Sequence, residues 1–158
     1  MAQGVGGSAG GPAASGCPSP AQHDGGQNAR GLGQRNAGEL SYLGDAVFEL
    51  MVREMLLAEA GGAGLQIGTL HQRAKSYVSA PAQAAMYHKI FPQLTPEEQA
   101  AAKRGRNLHS TSRAKNAAAT DYRHATGLEA LFGYLHLQGD TARMREIFDL
   151  CVSKMTIA

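Results

Sequence analysis

Two acidic residues sit where burial makes an acid costly. Asp45 interrupts the apolar run ELSYLGDAVFELMVREMLL that starts at Glu39, and Glu129 interrupts Thr126-Gly127-Leu128-Glu129-Ala130-Leu131-Phe132-Gly133-Tyr134. At about 100° per residue, Leu40, Leu43, Val47, Leu50 and Leu57 share one broad face of the first run. Asp45 lies on the other side, which Phe48 and Val52 make apolar as well. A helix apolar nearly all round is expected to be covered on more than one side, by its own core or by a second subunit. A carboxylate there needs a cation, a basic side chain or hydrogen bonds. Near Glu129, Ala125 and Gly133 are small, which lets another helix or a ligand come close. Brought together, two such carboxylates would make a hard oxygen site suited to Mg²⁺ completed by water. Spacing leaves the alternative open: each acid could bond to nearby backbone, and the small residues could serve helix packing alone.

The formal net charge is only +2, so no global electrostatic argument for nucleic acid exists. The charges are nevertheless segregated. Glu39–Glu59 hold five acids and one base, whereas Ala60–Thr120 hold eight bases and two acids. The first segment suits cations and the second suits phosphates. The cluster from Lys103 through Arg104, Arg106 and Arg113 to Lys115 has no acid within it to pair with, which points to phosphate binding as readily as to a solvated face.

Helices must position these groups. From Glu39 onward the chain is rich in helix formers, without alternating strand patterns. The first helix is expected to end at Gly61-Gly62. Thr69 with Gln72 reads as a capping box opening a second, Leu70–Tyr77. Ser79 and Pro81 open a third, Ala80–Ile90, closed by Pro92. Thr95-Pro96-Glu97-Glu98 starts a fourth, ending near Gly105. A polar connection, Arg106–Ala118, leads to a fifth helix, capped by Thr120 and running to about Gln138. Asp140 caps a sixth. The expected fold is all-α, a bundle of about six helices over residues 39–158. Met1–Gly38, dominated by Gly, Ala, Ser, Pro, Gln and Asn, reads as a disordered tail that cannot bury enough surface to order itself.

Other classes are excluded by composition. Cys17 and Cys151 form neither a disulfide framework nor a metal spacing. No apolar run is long enough for a membrane span, and MAQGVGGSAGG lacks the parts of a secretory signal. A cytoplasmic setting is expected.

Leu43-Gly44-Asp45-Ala46-Val47 before an apolar helix, with Leu128-Glu129-Ala130-Leu131-Phe132-Gly133 following much later, resembles the catalytic domain of ribonuclease III. Its short bacterial branch, Mini-ribonuclease III, is matched further by Leu70-His71, Val78-Ser79-Ala80 with Gln83, Lys103-Arg104-Gly105-Arg106-Asn107, Lys115-Asn116 and Tyr122-Arg123. The resemblance spans about Leu40 to Gly139, in the family's order. It implies a homodimeric, all-α endoribonuclease domain that cuts double-stranded RNA to 5′-phosphate and 3′-hydroxyl ends. Asp45 and Glu129 would be the catalytic Mg²⁺ ligands. Larger ribonucleases III carry further acids where this chain has Gly38, Ser41 and Thr126, so water is expected to complete more of the metal shell. Glu49, one turn from Asp45, is an outside candidate for supporting it.

Lys103, Arg104, Arg106, Asn107, Lys115 and Asn116 would grip the RNA backbone. With the chain ending soon after Met155, no separate RNA-binding domain is expected. The catalytic dimer would then hold its own substrate. From Leu108 to Ala114 the chain departs from the family's Gly-Thr-Pro-like run, where substrate preference is expected to differ. By resemblance the substrate is precursor ribosomal RNA of the large subunit, with the ribosome or a ribosomal protein as a further partner. A non-catalytic double-stranded-RNA binder of the same fold is the alternative, and the presence of both acids speaks against it. A helical scaffold without nucleic acid would leave Lys103–Lys115 without purpose.

Overall fold

The computed structural model describes residues 35–61, 64, 66–108 and 117–153. Among them lie six α-helices and no strand: α1 (Ala37–Ala60), α2 (Ile67–Val78), α3 (Ala80–Ile90), α4 (Pro96–Asn107), α5 (Ala117–Gln138) and α6 (Thr141–Val152), with a 3₁₀ turn at Phe91–Gln93. The all-α expectation therefore stands. The helix starts are partly as expected. Thr95 accepts from the Glu98 amide while the Glu98 carboxylate accepts from the Thr95 amide, a reciprocal cap on α4. Asp140 likewise caps α6, accepting from the Arg143 amide at 3.0 Å.

Elsewhere the boundaries move. A second reciprocal cap, Asn36 with Glu39, starts α1 at Ala37, so Ala37 and Gly38 are helical rather than part of the tail. The Thr69–Gln72 capping box does not form. Helix α2 already begins at Ile67, behind Gln66, with no side-chain cap. Helix α4 continues past Gly105 to Asn107, and α5 begins three residues before Thr120. The rest of the expected tail, residues 1–34, and positions 109–116 lie outside the described residues.

The core is assembled on α5, which packs against α1, α3 and α4. Phe48 of α1, Phe132 of α5 and Phe148 of α6 meet edge to face, with centroids 5.0, 5.7 and 6.4 Å apart. Leu40, Val52, Leu56, Leu128, Leu131 and Ile147 fill the space around them. At the edge, the nearly buried Glu98 is held by Arg143 through bonds of 2.8 and 3.0 Å. That guanidinium, more than the cap, keeps the Glu98 carboxyl below its ordinary value despite burial.

Within a single chain only part of α1 is covered. Its buried arc runs through Leu40, Gly44, Val47, Phe48, Met51, Val52 and Leu56. Leu50 and Leu57, expected on the covered face, are 57% and 61% exposed, on one flank with Tyr42 at 87%. Phe48 and Val52, on the side of Asp45, draw the buried arc away from that flank.

Helices α1 and α5 cross almost backbone to backbone. A Cβ at Gly44 would stand 1.7 Å from the Glu129 carbonyl oxygen, and one at Gly133 would stand 2.0 Å from that of Leu40. Only glycine fits at either point. Replacing Gly133 with alanine is expected to destabilise the fold by about 3 kcal/mol or more. In circular-dichroism melting that lowers the midpoint by roughly 10 °C, whereas an unchanged midpoint would show that the helices do not approach this closely.

Candidate active site

The crossing sets the positions of both acids. Asp45 follows the glycine that lies on the Glu129 backbone, so the two carboxylates emerge beside each other although they come from distant parts of the chain. Asp45 is exposed and Glu129 half-buried. Ser41, one turn before Asp45 and on its side of α1, donates its hydroxyl to Glu129 Oε2 at 2.8 Å. Its partner was not foreseen, though its i, i+4 relation to Asp45 puts it on the same face.

Ionisation of both acids is disfavoured here. Burial pushes the Glu129 carboxyl up to about 7, the Ser41 hydroxyl opposes this, and the negative charge of Asp45 adds to it. Asp45 is itself raised, first by burial and then by Glu49. Glu49 is bound to Arg53, four residues on, which turns it from an open carboxylate into half of a surface pair. Thr126 does not add a ligand, because its hydroxyl donates to the Tyr122 carbonyl at 2.9 Å within α5. Among the described residues no group of three or more His, Cys, Asp or Glu side chains forms a ready metal cage.

The expected basic residues are only partly covered by the structure. Lys103, Arg104 and Asn107 are exposed and Arg106 is half-buried, all on the last turns of α4. Lys103 lies over the Phe91 ring at 5.5 Å. Gly105 packs against Thr126 and Gly127 of α5 and so brings this basic end beside the helix that carries Glu129. Lys115 and Asn116 lie outside the described residues, as does nearly all of the departing segment from Leu108 to Ala114. His71 is exposed near the start of α2.

Residues 38–140 match the family model of the Ribonuclease III domain. The chain belongs to the ribonuclease III family. Its relatives narrow the branch. It is 41% identical to a Mini-ribonuclease 3 of Enterococcus faecalis, over 77% of this chain and 92% of that one. It is 49% identical to a Mini-ribonuclease 3 of Brevibacillus brevis, over 68% of this chain and 78% of that one. A crystal structure of a Fusobacterium nucleatum protein shares the fold with a TM-score of 0.64 and 30% identity, covering 76% of this chain and 93% of that one. The Mini-ribonuclease 3 resemblance read from the motifs is thereby confirmed, and the chain is an endoribonuclease, a hydrolase.

Burial, more than the charge of Asp45, sets the proton affinity of Glu129. Folded Glu129 keeps its proton to about pH 7, whereas the unfolded chain gives it up near 4.5. The folded state thus binds more protons over that range, and stability from this group is lost as pH rises from about 4.5 to about 7. Replacing Asp45 with asparagine removes one of the causes. Carboxyl NMR titration of the metal-free variant should then show Glu129 ionising below its wild-type value, and an unchanged titration would mean that the two acids are not electrostatic neighbours.

Proposed function

We propose that the chain cuts both strands of double-stranded RNA to 5′-phosphate and 3′-hydroxyl ends, with Asp45 and Glu129 as catalytic residues holding Mg²⁺. The observation that carries this reading is the crossing at Gly44, which lays the residue before Asp45 on the Glu129 backbone, with the Ser41 hydroxyl on the Glu129 carboxylate. Two neighbouring carboxylate oxygen donors, one exposed and one half-buried, fit a hard divalent cation, with water completing its shell. The donor set is small, which fits a loosely held ion rather than a permanent structural one.

Ser41 fixes the Glu129 oxygen that it bonds and favours its ionised form. The Gly44–Gly133 contact holds the two carboxylates at one spacing and keeps water off the inner side of Glu129. The metal, when bound, supplies the charge that makes a water nucleophilic at neutral pH and stabilises the leaving 3′-oxygen. Lys103, Arg104, Arg106 and Asn107, with Lys115 and Asn116 beyond the described residues, hold backbone phosphates of A-form RNA, which is recognised mainly by shape and by its 2′-hydroxyls.

A homodimer accounts for the outer flank of α1. Tyr42, Leu50 and Leu57 are large apolar side chains left exposed along one flank of α1 in a single chain. Two such chains joined there would offer two carboxylate pairs to the two strands of one duplex. A cytoplasmic enzyme maturing large-subunit ribosomal RNA, acting on a precursor presented by the ribosome or a ribosomal protein, is the setting that fits this substrate.

The test is cleavage of duplex RNA by wild type, Asp45→Asn and Glu129→Gln, each with Mg²⁺ or EDTA, after sedimentation has established the oligomeric state. Cutting is expected from the wild-type dimer with Mg²⁺ alone, with either substitution lowering the rate by at least roughly 10³-fold. Full activity in either variant would remove that residue from the mechanism.

A further inference from the structure

Hydroxyl groups in or at the end of helices often turn back to their own backbone. Ser76 donates to the Arg73 carbonyl, Thr126 to that of Tyr122 and Ser153 to that of Leu150. Ser41 does otherwise. Its hydroxyl leaves α1 and donates to Glu129 Oε2 on α5 at 2.8 Å. Among the described residues no other hydrogen bond reaches this carboxylate. Ser41 is 8% exposed, so Oε2 is turned toward a nearly buried side chain.

The donor is held by the crossing itself. The carbonyl oxygen of Leu40, the residue before Ser41, lies against Gly133, and Gly44 lies on the Glu129 carbonyl. The turn of α1 that carries Ser41 is thus pinned to α5 at both ends. Glu129 has the longer side chain and more rotamer freedom to lose, so the bond fixes the glutamate rather than the serine. With Oε2 engaged, Oε1 is the oxygen left for a cation. Binding through both oxygens would require breaking the Ser41 bond and leaving a buried hydroxyl without its acceptor, which is costly.

That constraint separates cations by size. Ca²⁺ takes about six to eight oxygens in flexible geometry and readily uses both oxygens of one carboxylate. Mg²⁺ needs a near-octahedral shell and keeps several of its waters, so one oxygen from each acid suffices. We propose that Ser41 is a positioning residue that sets cation selectivity: it holds Glu129 as a one-oxygen ligand and so favours a small octahedral ion over Ca²⁺. This rests on the proposed function, in which Asp45 and Glu129 are the cation ligands. It assigns discrimination between cations to a side chain that touches neither the ion nor the RNA.

The experiment measures Mn²⁺ binding to the full chain, free of RNA, by the paramagnetic resonance of the unbound ion, and then its displacement by Ca²⁺. Ser41→Ala removes one oxygen and keeps a good helix former. It should shift the preference toward Ca²⁺ roughly tenfold, and Ca²⁺ should inhibit Mg²⁺-dependent cleavage at correspondingly lower concentration. Ser41→Thr, which keeps the hydroxyl, should restore most of the wild-type preference. Thr126→Val removes a hydroxyl that bonds backbone alone and should leave the preference unchanged. Circular dichroism establishes that each variant is folded. A packing defect weakens both ions alike; only loss of the one-oxygen constraint changes their ratio. If Mn²⁺ binding depends on Asp45 and Glu129 but the ratio is the same in Ser41→Ala as in wild type, the selectivity role is overturned while the proposed function stands. If Mn²⁺ binding is indifferent to Asp45→Asn and Glu129→Gln, and wild type does not cut duplex RNA, the proposed function fails and this role with it.

Discussion

The close approach of α1 to α5 is the constraint on which the candidate site depends. Two helix backbones meet at Gly44 and Gly133 with no side chain between them. This brings Ser41 within hydrogen-bonding reach of Glu129 and sets Asp45 next to it. It also removes water from one side of the glutamate, the largest cause of its raised pKa. A fold that separated the helices by an ordinary side-chain layer would leave two unrelated acids on two helices.

The same packing logic continues toward α4. Gly105 lies against Thr126 and Gly127, and Gly127 lies against Tyr87 and the Ala102 carbonyl. Small residues thus let α3 and α4 settle onto α5 as closely as α1 does. The consequence is electrostatic: acids gather at one side of α5, and arginines from α4 and α5 gather at another. A nearly neutral chain thereby presents separate places for a cation and for phosphates, which its net charge conceals.

How much of this was legible in the sequence depended on how local the cause was. The caps at Thr95 and Asp140 were readable because each involves residues three apart. The Asn36–Glu39 cap has the same form, but the Gly-rich composition before it disguised the helix start. The Thr69–Gln72 pattern misled because Ile67 extends α2 upstream without any side-chain cap. Leu50 and Leu57 looked like core by periodicity, and periodicity cannot tell which of two apolar arcs a single chain covers. The Ser41–Glu129 bond joins residues 88 apart, so no local pattern carries it. Family motifs pointed to the two acids; their adjacency is a property of the fold.

The proposed chemistry requires Asp45 and Glu129 to act as one cation site. Crystals of the metal-free protein soaked in Mn²⁺, a manganous stand-in for Mg²⁺ with the same preference for oxygen donors, would locate the ion by anomalous scattering. A shared site gives a peak lying between the two carboxylates and within direct or single-water reach of both. A peak attached to one carboxylate with the other turned away, or none at this crossing while the ion binds elsewhere, would contradict it.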